Sequence, residues 1–172
     1  MTEKEVEDFL AIPNKSVLRE ISWDPKLGGH IPPFLEFASA ISANGVVLEG
    51  VLFRASYREP KTVIKGSAEI NIGESLSVAL FASNNLRISA IDTNPSHRHI
   101  NKVGVGRPFH GHTIDARTHL HIWVGSYGYV EPIEPALLEM EKMFEYISKC
   151  CNLTFTGKFV DPRKGSQGAL AL

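Results

Sequence analysis

"LEFASAISANGVVLEGVLFRASY", residues 35–57, is the stretch that decides the fold. Leu35, Phe37 and Ser39 alternate with Glu36 and Ala38, the period of two that a half-buried strand requires. Asn44-Gly45 then separates two β-rich runs. Both residues accept positive φ, which a two-residue turn between antiparallel strands needs, so the stretch predicts a hairpin.

The same signal recurs outward from this hairpin. Arg58-Glu59-Pro60 marks a turn, "TVIKGSAEINI" (62–72) reads as one strand, and Asn71 to Glu74 turns again. "SLSVALFAS" (75–83) and "LRISAID" (86–92) flank Asn84-Asn85, a further hairpin. "THLHIWVG" (118–125) resumes the alternation, with His119, His121 and Trp123 on one face. Consecutive strands joined by tight turns describe a meander. Helices are expected at both ends. Thr2 and Glu5 form a capping box ahead of Val6, Phe9 and Leu10, and Pro13 stops this short helix. Pro135 opens a long helix over 135–151, with Leu137, Met140, Phe144, Ile147 and Cys151 at spacings of three and four. "LTFTGKFV" (153–160) is a last strand. The expected fold is α+β: a curved antiparallel meander packed against one long C-terminal helix, with a short N-terminal helix. One domain covers residues 1–160, followed by a loose tail at 161–172.

A chain of 172 residues that is 43% hydrophobic has enough apolar material for one core. Its 18 basic and 19 acidic residues nearly cancel, so no overall field points to nucleic acid or a membrane surface. No run approaches the roughly 20 apolar residues of a membrane helix. The acidic start, MTEKEVEDF, predicts no signal peptide. Cys150 and Cys151 are adjacent, and neighbours in a helix cannot form an ordinary disulfide, so they read as thiols in a reducing cytoplasm.

Six of the seven histidines fall within residues 97–121, as the pairs His97/His99, His110/His112 and His119/His121. In an extended strand, residues i and i+2 share a face, so each pair projects together. Gly104, Gly106 and Pro108 suit a loop that returns the chain on itself and brings the pairs to one patch. The segment also carries Arg98, Lys102, Arg107 and Arg117 against Asp115, a net charge of +3, while residues 122–150 carry −3. Two chemistries follow. Neutral imidazoles ligate zinc, nickel or manganese, and His97, His99, His119 and His121 with Asp115 are the candidate metal ligands. Alternatively, two imidazoles act as acid and base on a phosphodiester, with His110 and His112 as the catalytic pair and Arg98, Lys102, Arg107 and Arg117 holding phosphate.

Asp92, Asn94-Pro95, His97/His99 and Pro108-Phe-His110-Gly-His112 resemble the pattern of TumE-like small proteins of prokaryotic toxin–antitoxin modules. Phe109 stands where that family has its first block histidine, and the family's Arg-x-Asp start is stretched to Arg87-Ile-Ser-Ala-Ile-Asp92. The resemblance implies a small β-rich, toxin-like protein, with RNA as a target. The expected function is therefore that of a cytoplasmic protein acting on RNA or another phosphodiester, by histidine acid–base or metal-assisted chemistry. Two alternatives stand beside it. One is a non-enzymatic interaction protein (an antitoxin or an inhibitor of a host system) that uses the His/Arg face to bind its cognate antitoxin or a host factor. The other is a metal-binding protein of different chemistry.

Overall fold

The computed structural model describes residues 1–165 apart from Leu27, Gly29, Asn84 and residues 94–97. Helix α1 (Glu3–Ala11) begins at the expected capping box: the Glu5 N–H donates to Thr2 Oγ1, and the Thr2 N–H donates to the Glu5 carboxylate. Short strands β1 (Lys15–Val17) and β2 (Asp24–Pro25) follow. The central hairpin is β3 (Leu35–Ala43) and β4 (Val46–Arg58). At its turn Asn44 (φ 49°) and Gly45 (φ 81°) both adopt left-handed backbone, as the sequence predicts.

The run 62–72 is a ribbon rather than one strand. Gly66 takes φ 63° and turns β5 (Lys61–Lys65) back on β6 (Ala68–Ile72), so the single strand expected there is corrected to two. β7 (Ser75–Ala82) and β8 (Leu86–Thr93) form the next hairpin; of its Asn84-Asn85 turn, Asn84 lies outside the described residues. β9 (His99–Ile100) pairs with β10 (Thr113–Ile114), then come β11 (Thr118–Ile122), β12 (Tyr129–Pro132), helix α2 (Met140–Cys151), β13 (Leu153–Phe155) and a helical turn, α3 (Pro162–Gly165).

Among the described residues one large sheet runs β12-β11-β8-β7-β4-β3-β1-β13, with β2 added to β3. Its pairs are antiparallel except β1 with β13, because α2 carries the chain from the β12 end to the opposite end before β13 joins. The described residues are mostly β, 44% strand against 15% helix, and the sheet is mixed. This corrects the expected α+β class with a purely antiparallel meander and a long C-terminal helix. The helix is short because the carbonyls at 137 and 138 are already engaged. Thr118 Oγ1 donates to the Leu137 carbonyl (3.2 Å) and Arg163 Nη2 to that of Leu138 (2.9 Å), so the backbone ahead of Met140 stays non-helical. Arg163 also grips Glu74 at 2.9 Å, which ties down the start of the tail expected to be loose; residues 166–172 lie outside the described residues.

Register sorts the sheet into two faces. Phe37, Phe53, Ala55, Val78, Leu80 and Ile91 point one way and are buried with Met140, Met143, Phe144 and Ile147 of α2. Phe144 packs on Phe53 and Phe155 with ring centroids 5.2 and 4.8 Å apart, the edge-on and tilted contacts that aromatic quadrupoles favour. The opposite face carries Arg54, Ser56, Ser77, Ala79, Ala90, Asp92, His119 and His121. No helix among the described residues is long and apolar enough to cross a membrane.

One buried cation fastens α1 to this sheet. Lys15 is fully buried on β1, and its Nζ donates to the carbonyls of Phe9 (3.1 Å), Leu10 (2.9 Å) and Ile12. The Phe9 carbonyl also accepts the Ile12 N–H and the Leu10 carbonyl accepts Asn152 Nδ2, so the ammonium adds a shared donor at the negative end of the helix dipole, where a cation is stabilised. Replacing Lys15 by Met keeps the stem and removes the charged donor that all three carbonyls share. The expected loss is about 2–3 kcal/mol, read as a fall in the urea midpoint at unchanged slope. A loss below about 0.5 kcal/mol would show that water replaces the ammonium without cost.

Candidate metal centre

The site grows from strand register on the polar face. His119 on β11 pairs directly with Asp92 on β8, and His121, two residues on, pairs with Ala90. Ala90 has no bulk to resist the imidazole, so His121 lies over it and reaches Asp92, with Nε2 at 2.9 Å from Oδ2. The contact lacks hydrogen-bond alignment, and both ring nitrogens of His121 are buried without a hydrogen-bond partner. The rings of His119 and His121 have centroids 5.0 Å apart. One ligand atom from each of Asp92, His119 and His121 lies within 4.8 Å of the other two.

Asp92 is held from behind. Its Oδ1 accepts from Ser77 Oγ and Arg87 Nη2, both at 2.6 Å, which leaves Oδ2 facing the histidines. Strict alternation places residues five apart on opposite faces of a strand. Here the register between β7 and β8 shifts at Leu80/Phe81, so β8 uses an extra residue and Arg87 turns to the face of Asp92. Burial works against the charge of Asp92, but contact with His121 and the Arg87 charge outweigh it and hold the carboxyl well below the usual carboxylate range. Burial pushes His119 down from 6.5 to about 4, with the neighbouring His121 ring adding to the effect. Burial also lowers His121, against the pull of Asp92. At neutral pH the site therefore presents one carboxylate and two unprotonated imidazoles, the form in which these groups ligate a cation.

A third histidine borders the pair. The His99 ring lies 6.1 Å from His119 and 5.9 Å from His121, and its Nε2 hydrogen-bonds the Gly128 carbonyl at 2.8 Å. A carbonyl only accepts, so Nε2 carries a proton, and in the neutral ring the lone pair is on Nδ1. Tyr127 stacks on His121, centroids 5.9 Å apart and planes at 12°, and its hydroxyl accepts from Arg87 Nη1 at 3.4 Å. The arm between β9 and β10 is anchored by Asn101, which is fully buried. Its Nδ2 donates to the carbonyls of Val130 (2.8 Å) and Phe109 (3.0 Å), and its Oδ1 accepts the Val130 N–H at 2.8 Å. Gly104 passes so close to Tyr129 that a Cβ would sit 2.6 Å from the ring, and its φ of +82° already favours glycine.

This arm carries the remaining candidates away from the cluster. Among the described residues the ring contacts that join His99, His119 and His121 include neither His110 nor His112. His112 is exposed with its ring against Phe109, and His110 is half-buried in the turn. Arg98 pairs with Asp115 at 3.7 Å, both 75% exposed, so Asp115 has its own cation and lies apart from the histidine set. Arg107 pairs with Glu3 of α1, while Lys102 and Arg117 are exposed. His97 lies outside the described residues. Reading the sequence for histidine density missed Asp92, Arg87 and Ser77 as site residues. The available signal was a pair of charges, Arg87 and Asp92, at the ends of an otherwise uncharged strand.

The donor set fits a divalent transition-metal ion. Two imidazoles and one carboxylate on a rigid sheet leave positions open for water or substrate, and the carboxylate has the supporting hydrogen bonds that ligating carboxylates usually have. Ligand atoms at tetrahedral angles and bonds of roughly 2.1 Å lie about 3.4 Å apart, so closure takes side-chain shifts on the order of 1 Å. Comparison with protein-family models, curated proteins and solved structures found no match. The resemblance of residues 92–112 to TumE-like proteins accordingly rests on those residues alone, and Asn94, Pro95 and His97 within it lie outside the described residues.

The buried histidines set a pH dependence. His119 has its folded value below the unfolded one, so the unfolded chain takes up the proton first. Stability is complete above about 6.5 and declines as pH falls towards about 4. Asp92, also lowered, loses its contribution in the same acid direction at still lower pH. Urea unfolding with chelator at pH 7 and pH 4.5 is expected to show a clear loss for the native chain and a smaller one for His119→Ala. Equal losses in the two proteins would mean that His119 titrates normally.

Proposed function

We propose that this protein is a metal-dependent hydrolase of phosphodiesters, RNA among them, with Asp92, His119 and His121 as the ligands of a divalent cation such as zinc or manganese. The observation that carries the reading is the convergence of those three groups within 4.8 Å, with His121 Nε2 held against Asp92 at 2.9 Å and its Nδ1 buried without a hydrogen-bond partner among the described residues. Buried polar atoms without partners are rare and costly, and a cation bound by one of them removes that cost. The choice of hydrolysis follows from charge. Arg87 already offsets Asp92, so a divalent cation held by Asp92, His119 and His121 would keep most of its double charge and would supply Lewis acidity towards an anionic substrate. His99, whose neutral tautomer has its lone pair on Nδ1 and whose ring lies about 6 Å from both ligand rings, is the candidate general base. The free thiols Cys150 and Cys151 support a reducing, cytoplasmic location.

A second reading, an interaction protein that binds a cognate antitoxin or a host factor, draws support from the β5–β6 ribbon. Ile64 is 78% exposed on one face of the ribbon, and Ile70, paired with Val63, is 45% exposed on the other.

Elemental analysis of untagged protein, followed by calorimetric titration of the chelator-treated chain with Zn²⁺ and Mn²⁺, tests the metal centre. One equivalent is expected per chain. His119→Ala and His121→Ala are expected to abolish stoichiometric binding, and Ser77→Ala, which removes one support of Asp92, to cost about 10–100-fold in affinity. Cleavage of a phosphodiester or an RNA is expected to disappear with chelator and return with metal. A chain that takes up no divalent cation at neutral pH sinks the proposal and leaves the interaction reading.

A further inference from the structure

Beside Asp92 the polar face sinks into a depression of about 270 Å³, lined by Arg54, Ser56, Ser75, Ser77, Arg87 and Asp92. Its floor follows from the sequence. His121, Ala90, Ala79 and Arg54 form one cross-strand row, and the two alanines between the large residues leave the gap. The volume lies just under the roughly 300–1,000 Å³ of pockets that hold whole drug-sized ligands, so it suits one small group of a larger molecule.

Arg54 gives the depression its chemistry. Its guanidinium lies 5.1 Å over the Phe81 ring, and its Nε is 3.2 Å from Glu36 Oε1. These contacts fix the plane of the group, while neither terminal nitrogen has a hydrogen-bond partner among the described residues. Glu36 is shared with Lys26 at 3.5 Å, so two cations meet one carboxylate and an excess positive charge remains. Arg87 borders the depression with its terminal nitrogens engaged by Tyr127, Ser77 and Asp92, while the hydroxyls of Ser56 and Ser75 make no side-chain hydrogen bond among the described residues. A preset guanidinium fork with hydroxyl donors beside it matches a tetrahedral oxyanion, which accepts from several directions at once.

We infer that this depression is a phosphate-binding subsite and that it holds a non-reacting phosphate of the substrate. Its role in turnover rests on the metal-centre reading above, but its occupancy can be measured alone. β4 lies three strands from β11, roughly 14 Å at the usual strand spacing, so a phosphate held at Arg54 is a different group from one attacked beside His119. The substrate class is then a phosphoester with a second phosphate near the scissile one, as in an oligonucleotide, and a lone phosphodiester lacks the group that this subsite holds.

The test uses the full chain, treated with chelator, at pH 7 and low ionic strength, with inorganic phosphate as probe. Saturable one-to-one binding is expected by calorimetry, with acetate binding at least tenfold more weakly. Arg54→Gln is expected to weaken phosphate at least tenfold, while His119→Ala and Arg98→Gln leave it unchanged. Should Arg54→Gln fail to fold, the double variant Ser56→Ala/Ser75→Ala is expected to weaken phosphate several-fold instead. No saturable phosphate binding, equal binding of acetate, or full binding by the Arg54 and serine variants overturns the inference. Zn²⁺ titration of the same preparations keeps the two readings apart. A chain that binds phosphate but takes up no Zn²⁺ sinks only the metal centre, and one that takes up Zn²⁺ but binds no phosphate sinks only the subsite.

Discussion

Burial of Phe53, Val78, Leu80 and Ile91 against α2 fixes which way every other residue of β4, β7 and β8 points. In a pleated sheet a side chain that leaves the core face must appear on the other, so one apolar contact determines two surfaces. A slip of one residue between β8 and β11 would turn Leu120 away from the core cluster it packs against and part His119 and His121 from Asp92. The loss of that packing and of the contact with Asp92 holds the register. The candidate site is therefore secured by the packing on the far side of the sheet.

Within that frame the bulge in β8 is the local device that makes the chemistry. It rotates Arg87 to the face of Asp92, where the pair closes at 2.6 Å with only 16% and 21% of the two side chains exposed. An ion pair this sheltered is far less screened than one on the surface, and it fixes the carboxylate oxygen that does not face the histidines. Asp92 is consequently ionised and aimed, while His119 and His121 are kept neutral by burial. The same bulge brings Arg87 to the rim of the depression that Arg54 dominates, so one irregularity serves both the candidate metal centre and the candidate phosphate subsite.

The histidine-rich segment divides according to what its backbone is doing. His119 and His121 belong to an interior strand of the large sheet, and His99 to a short strand anchored by Asn101 through Val130. His110 and His112 belong to the turn that Asn101 closes from the other side, through the Phe109 carbonyl. Density along the chain placed all of these residues in one class, but a pair at i and i+2 shares a face only where the backbone is extended. At residues 107–112 the chain turns, and the rule does not apply.

The sequence by itself determined what depends on neighbours along the chain. The Asn44-Gly45 hairpin, the capping box at Thr2, and the faces of His119 and His121 follow from local backbone preference and a period of two. The apolar stripe of α2 was legible for the same reason, although not its start, because Pro135 is as compatible with an extended approach as with a first helical turn. Only the tertiary structure decided which polar groups meet. Thr118 and Arg163 take the carbonyls that would have lengthened α2, Lys15 finds the end of α1, and β13 closes the sheet in parallel on β1. Asp92, not Asp115, became the carboxylate of the histidine cluster, through pairing with a strand 26 residues away. Such choices are made by register and bulges between distant strands, and no periodicity within one segment encodes them.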